Sequence, residues 1–447
     1  LTADRTRSAT ERSPAAGRTG EDVRSEVLRL AEAYRADIAR FLRDIVAIPS
    51  PSGREGPVVD RILEEMGRVG FDEVYRDEVG NAVGRIGTGP TTILYDGHID
   101  TVGLGDPTAW THDPYAGKVE NGRIFGLGTV DEKAAVAAMI HGVRIIKEMG
   151  LDRARGGRDY TLYVVGTVQE EDCDGLAAGL FVEHLRAKTG RRPDLAVLGE
   201  PTDLAVYRGH RGRCEFKVVV KGRACHGSAP ERGDNAVYKM GRVLEGIQRL
   251  APHLKDDPFL GRGTITVTRI ESKSGSLNVV PDECAIFIDR RMTWGETSQS
   301  CLEELRGLVA ELGEPDPPGK GPGVGATGAE VALLDYDAAS HTGCPTRMAK
   351  EYPTWVTPEE SPAVAAGLRA AEDLFGVRPP VGKWAFSTDG VSLAGGHGIP
   401  TIGYAPGNEV LAHTVGEWVA EDDLVKAAAF YAWFPAVAVE ELKRGKR

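Results

Sequence analysis

Three short apolar runs in this sequence each end in side chains that can ligate a metal or move a proton. The run 92–95 is followed by His98 and Asp100, the run 161–168 by Glu170, Glu171 and Asp172, and the run 195–198 by Glu200. Short apolar runs alternating with helical segments read as buried strands of a largely parallel sheet. In open α/β sheets, sites gather at the carboxyl ends of the strands. Three separate segments would therefore deliver one imidazole and several carboxylates to a single sheet edge. Asp131 stands just ahead of an alanine-rich helical segment (134–148), and His413 falls in the last loop region. A lone histidine or a glutamate pair is ordinary surface chemistry. Their coincidence at strand ends is what points to a metal site.

The positioning elements follow from periodicity. Val23, Val27, Leu30, Tyr34, Ile38, Phe41 and Ile45 form one apolar stripe at helical spacing, closed by Pro49 and Pro51. Ser52 and Glu55 fit a capping box ahead of a second helix bearing Val58, Ile62 and Met66. Helices are expected over 134–148 and 176–186. After about residue 205 the texture changes. Cys214, Phe216, Val218 and Val220 alternate with polar residues, as a half-exposed antiparallel strand requires. A helix over 235–250 follows, with Asp234 as N-cap. Strands near 263–270 and 283–291, a helix over 299–312, a Gly/Pro-rich loop (313–328) and a last strand over 329–337 complete a β-α-β-β-α-β order, which is ferredoxin-like. The α/β texture returns with a helix over 362–375 and a strand at 400–404. The expected class is α/β: a catalytic domain with a mixed, largely parallel sheet, interrupted by an α+β domain. The boundaries are a disordered segment 1–20, catalytic parts 21–206 and 351–447, and an inserted domain 207–350.

Composition narrows the partners. The 447-residue chain carries a net charge of −12, so it lacks the basic surface that nucleic acid or an anionic membrane would need. Its longest apolar stretch, 427–439, contains Pro435 and falls short of the roughly 18 residues a membrane helix requires. Six scattered cysteines with no C-x-x-C pair suit a reducing compartment, so a cytoplasmic location is expected.

Six segments in order carry a resemblance: Asp96-Gly97-His98-Ile99-Asp100-Thr101-Val102, Gly126-Leu127-Gly128-Thr129-Val130-Asp131-Glu132-Lys133, Gln169-Glu170-Glu171-Asp172, Gly199-Glu200-Pro201-Thr202, Cys225-His226-Gly227-Ser228-Ala229-Pro230 and Ala412-His413-Thr414-Val415-Gly416-Glu417. On these the chain resembles the dinuclear zinc amidohydrolases and peptidases that include carboxypeptidase G, acetylornithine deacetylase, succinyl-diaminopimelate desuccinylase and aminoacylase-1. Residues 289–297 resemble most the branch linked to selenium metabolism. The resemblance implies a zinc-peptidase-like catalytic domain whose inserted domain serves as lid and dimerisation surface.

It also implies roles. Asp131 would bridge two zinc ions, with cobalt or manganese as alternatives. His98 and Glu200 would complete one site, Glu171 and His413 the other. Glu170 would be the general base acting on water bound by the metals, and Asp100 would orient the His98 ring. His226 would act in the partner subunit's site, implying a homodimer, with Asn278 and Arg291 contacting substrate; the adjacent Arg290 leaves that register open. The loop Ser387-Thr388-Asp389 would lie near the substrate. The implied substrate is a small-molecule amide: an N-acyl amino acid, a dipeptide or an N-carbamoyl amino acid. A non-catalytic metal-binding relative is the rival reading. Two departures stand out: Ala134 and Ala135 occupy positions that are usually glycine, and Gln169 replaces a common aspartate.

Overall fold

The computed structural model describes residues 20–152, 159–312 and 329–445. The loop 313–328 and nearly all of the segment 1–20 lie outside the described residues. A nine-stranded mixed sheet forms the larger body. Its order is Glu73–Arg76, Ala82–Gly87, Tyr160–Thr167, Thr91–His98, Leu195–Leu198, Thr401–Gly403, Val206–His210 and Trp355–Val356, with Val381–Trp384 also paired to Val206–His210. The centre is parallel: Thr91–His98 lies between Tyr160–Thr167 and Leu195–Leu198 and runs with both. Helices cover both faces, so Tyr160–Thr167 and Leu195–Leu198 are buried along their whole length.

Helices Ala134–Met149 and Glu421–Arg444 pack against each other over this sheet. The crossing is close: a Cβ on Gly142 would stand 2.8 Å from Tyr431 Cβ and 3.1 Å from the Ala428 carbonyl oxygen. Small residues on both helices permit that approach. The apolar stretch 427–439 is thus part of a buried core helix. Among the described residues, no helix is long and apolar enough to cross a membrane.

The smaller body has its own core, built on Phe216, Val218, Val220, Met240, Val243, Ile286, Ile288 and Leu305. Its sheet runs Thr264–Lys273, Glu283–Met292, Gly212–Lys221, Glu330–Leu333, with Glu351–Tyr352 added to Gly212–Lys221. Helices Ala236–Leu250 and Ser298–Leu312 pack on it. The β-α-β-β-α-β order and its antiparallel pairing are the ferredoxin-like arrangement.

Four local expectations are corrected. The opening stripe is two helices, Gly20–Ala33 and Arg35–Val46, broken at Tyr34, over whose ring the Arg144 guanidinium stacks at 3.7 Å. Ser52 and Glu55 form no capping box: Ser52 Oγ donates to Asp100 Oδ2 at 2.6 Å, and Glu55 accepts the backbone N–H groups of Gly53 and Gln169. The N-cap of Ala236–Leu250 is Asn235, because Asp234 is drawn into an ion pair with Lys239. The strand expected over 329–337 divides. Glu330–Leu333 stays in the sheet, while Asp335–Ala339 forms a hairpin with Pro345–Ala349, since Tyr336 packs with Cys173, Leu176, Tyr352 and Val391.

The chain passes from one sheet to the other between His210 and Gly212 and returns between Tyr352 and Trp355. His210 is fully buried at this junction. Its Nδ1–H donates to the Arg211 carbonyl at 2.8 Å, while Nε2 accepts from Trp355 Nε1–H at 2.7 Å and from the Thr388 N–H at 3.1 Å. These partners demand the neutral ring, and burial pushes its pKa down to about 4. A histidine depressed in the fold stabilises it fully above the ordinary value near 6.5, and that contribution is lost as pH falls from there towards 4. Each such group steepens the fall by up to about 1.4 kcal/mol per pH unit. Urea unfolding at pH 6.5, 5.5 and 4.5 should therefore show a shallower loss of stability in His210→Gln than in the parent; equal slopes would contradict this reading.

Candidate metal centre

Three neighbouring parallel strands bring the site together. His98 is the last residue of Thr91–His98 and pairs in register with Thr167, the last residue of Tyr160–Thr167. Glu170 and Glu171 follow three and four residues after Thr167, and Glu200 comes two residues after Leu198. Adjacent strands lie only about 4.8 Å apart, so their ends converge. Asp131 comes from the turn 129–133 that leads into Ala134–Met149. His413 comes from the loop before Trp418–Ala420 and sits in left-handed backbone at φ 57°. Gln169 has the same unusual conformation at φ 60°. Such positions cost roughly 1–2 kcal/mol in a residue with a side chain and cluster at functional sites.

The Asp131 carboxylate lies between the two histidines, one oxygen to each. Oδ1 is 2.8 Å from His98 Nε2, and Oδ2 is 3.3 Å from His413 Nε2. Glu200 Oε1 stands 3.9 Å from His98 Nε2, and Glu171 Oε2 stands 3.0 Å from His413 Nε2. Donor atoms of His98, Asp131 and Glu171 lie within 4.8 Å of one another, as do those of His98, Glu170 and Glu200. All the expected ligands and Glu170 are thus gathered in one place.

Asp100 organises the surroundings. Its carboxylate accepts Ser52 Oγ–H and the backbone N–H groups of Glu170 and Glu171, at 3.1 and 3.2 Å. Its backbone oxygen takes His98 Nδ1–H at 3.0 Å, with the carboxylate farther off at 3.5 Å. The ring is therefore turned so that Nε2 faces Asp131.

Burial and, after it, like charge shape the electrostatics. Burial pushes the Glu170 carboxyl well above its ordinary range, and the neighbouring Asp174 pushes it further. Burial does the same to Glu200, reinforced by Glu132 and Asp131. Asp131 is the exception. Burial opposes its charge, but hydrogen bonds from His413 and His98 hold it well below the usual carboxylate value. Neighbouring carboxylates raise the proton affinity of the two imidazoles in return. Hydrogen bonding to Asp131 and Glu171 lifts His413 to about 10. For His98, burial works against protonation but is outweighed by hydrogen bonds to Asp100 and Asp131. Glu170 Oε1 and Glu200 Oε2 are buried with no hydrogen-bond partner among the described residues. A mixed imidazole and carboxylate donor set with spare buried acceptors and excess negative charge fits divalent cations.

A cavity of about 300 Å³ opens onto this cluster, lined among others by Asp131, Glu170, Glu200, Arg291 and His413. Arg291 reaches it from the smaller body, paired to Asp289 at 2.8 Å. Arg290 points to the opposite face of the strand, fully buried against Glu296 and Glu304, so of the two arginines Arg291 is the one that lines the cavity. Ser387 lines the cavity, and Asp389 lies buried behind it, accepting Thr167 Oγ1–H and the Gly175 N–H. His226 and Asn278 do not join the group. Both are exposed on the smaller body, where His226 Nδ1 accepts the Ser228 N–H and Asn278 accepts the Ser276 hydroxyl.

With this geometry in place, the sequence model of Peptidase family M20/M25/M40 matches residues 94–435. The chain belongs to that family. It is 47% identical over 409 residues to the Escherichia coli K12 protein YgeY, covering 92% of this chain and 96% of that one. An acetylornithine deacetylase of Photorhabdus laumondii is 29% identical over 292 residues, 62% of this chain and 71% of the enzyme. Among solved structures, the M20 metallo-carboxypeptidase Sso-CP2 of Sulfolobus solfataricus superposes with a TM-score of 0.69 at 16% identity, over 89% of this chain and 98% of its own. That likeness shows the same fold.

In this M20 chain Ala135, one of the two alanines that depart from the usual glycines, packs against Gly199, where an added Cβ would come within 2.7 Å of the Ala135 Cβ. Glu417, the last residue of the segment that carries His413, has no role in the sequence reading. It is buried, and its carboxylate accepts the N–H groups of Gly128 and Asp131, each at 3.1 Å, and that of Val130. The turn bearing Asp131 thus hangs on one acceptor. Glu417→Ala should weaken divalent-metal binding by about 10–100-fold without removing a ligand. Titration of metal-free protein reads this directly, and unchanged affinity would contradict it.

Proposed function

We propose that this M20 chain is a two-metal hydrolase that cleaves the amide bond of a small N-acyl amino acid or dipeptide-like substrate. The observation that carries the reading is the Asp131 carboxylate, which presents one oxygen to His98 and the other to His413. In this reading His98, Asp131 and Glu200 would hold one ion, and Asp131, Glu171 and His413 would hold the other. Zinc suits the donors, and cobalt or manganese would also be accepted. The ions, when bound, lower the pKa of water towards about 7 and polarise the scissile carbonyl.

The chain's own residues do the rest. Glu170 has a buried, unpartnered oxygen and a raised proton affinity. It takes the proton of the attacking water and returns it to the leaving nitrogen. Asp100 holds His98 and the backbone of Glu170 and Glu171 in register. Arg291 receives a substrate carboxylate, a role its planar fork suits. The cavity of about 300 Å³ accommodates a small substrate.

The reaction also calls for a donor to the developing oxyanion. His226 supplies it in this reading, acting from a second copy. The smaller body that carries His226 and Asn278 also exposes Tyr238, Ile270 and Leu277, apolar side chains that a homodimer would cover.

The test is a panel of N-acetyl, N-succinyl and N-carbamoyl amino acids and dipeptides offered to metal-loaded protein, with free amine as the readout. Chelator-sensitive release is expected. Glu170→Ala should keep both metals and lose at least about 10²-fold in kcat, whereas Asp131→Ala should lose metal. Near-normal turnover in Glu170→Ala would refute the base assignment, and no turnover of any compound would refute the function.

A further inference from the structure

The segment that carries Glu170 and Glu171 is held from outside its own sheet. Three side chains contributed by residues beyond the junction close on residues 169–174. Gln169 Nε2–H donates to the Tyr336 hydroxyl at 2.8 Å, and the Tyr352 hydroxyl donates to Cys173 Sγ at 3.7 Å. The third contact is an ion pair, Arg213 Nη2 to Asp174 Oδ1 at 2.6 Å. Arg213 lies on Gly212–Lys221 in the smaller body, in register with Tyr352, and its guanidinium stacks 4.4 Å over the Tyr352 ring.

The pairing has consequences because of where Asp174 lies. Its side chain is only 6% exposed, and it lines the same cavity as Glu170 and Arg213. The intervening turn is tight, with the Cys173 N–H reaching the carbonyl oxygens of both Gln169 and Glu170 at 3.0 Å. A displacement of Asp174 is therefore transmitted to Glu170. Two buried carboxylates that line one cavity repel unless a cation offsets their charge. Arg213 supplies that cation at Asp174 Oδ1, while Asp174 Oδ2 has no hydrogen-bond partner among the described residues.

We propose that Arg213 is a positioning residue: through its ion pair with Asp174 it sets the Glu170 carboxylate in the cavity and makes that placement depend on the seating of the smaller body. This rests on reading Glu170 as the base. Four variants test it, Arg213→Met, Arg213→Lys, Asp174→Asn and the double Arg213→Met/Asp174→Asn. They are assayed by steady-state kinetics on metal-loaded protein and by hydrogen–deuterium exchange of residues 168–176 in metal-free protein.

Arg213→Met should lower kcat by at least about tenfold, as expected when a reacting group is misplaced, with KM within about twofold. Arg213→Lys should recover most of that loss. The double variant should be no slower than the slower single one, and amides 170–174 should exchange faster in Arg213→Met but not in Arg213→Lys. If Arg213→Met does not fold, Asp174→Asn and Arg213→Lys decide by the same criteria. Unchanged kcat and exchange, single losses that multiply in the double variant, or a KM rise at constant kcat would each overturn the proposal. If the parent hydrolyses nothing, the functional reading fails, and the exchange comparison still decides whether Arg213 holds this segment.

Discussion

Like charges gathered in a buried place are the constraint on which this structure depends. Asp131, Glu170, Glu171 and Glu200 converge at the ends of three parallel strands, with Asp96, Glu132 and Asp389 buried just behind them. Burial alone opposes each negative charge, and mutual repulsion adds to it. Two imidazoles offset only part of this: burial first, and neighbouring carboxylates after it, still push Glu170 and Glu200 above the ordinary carboxyl range. Cations of higher charge are the remedy that also leaves a useful reactive site. The same physics explains why the polar scaffold is so heavily hydrogen-bonded. Asp100 and Glu417 each use both carboxylate oxygens to accept backbone N–H groups, with Asp100 also accepting the Ser52 hydroxyl, and so fix the ligand-bearing turns before any metal binds.

The two bodies divide the work. The parallel sheet supplies ligands and base from strand ends, where side chains emerge from rigid backbone. The smaller, ferredoxin-like body supplies the long polar side chains at the other wall of the cavity, Arg213 and Arg291, from neighbouring positions on two paired strands. Its core is separate from that of the large sheet. The junction is narrow and organised around His210, whose neutral ring joins Arg211, Trp355 and Thr388.

Much of this was legible in the sequence, for identifiable reasons. His98, Glu170, Glu171 and Glu200 could be placed because buried parallel strands are apolar throughout, and ligating residues directly after them have one destination. The β-α-β-β-α-β order could be read because alternation and helical spacing change sharply after residue 205. What escaped were features created by long-range contact. Glu417 looks like any acidic residue in a polar loop until folding brings it to Asp131, 286 positions away. Arg213 and Asp174, 39 positions apart, gave no local sign of their pairing. The break at Tyr34 was hidden because both helices present the same stripe to the core, and Ser52 left its expected capping role because Asp100 is a better acceptor.

The central claim is that Asp131 bridges two metal ions, and cobalt substitution tests it most directly. Metal-free protein is titrated with Co(II) and followed by electron paramagnetic resonance. Two equivalents should bind, and the second should diminish the signal per cobalt because the ions couple through the shared carboxylate. Binding of a single equivalent, or a second cobalt whose signal simply adds to the first, would contradict it.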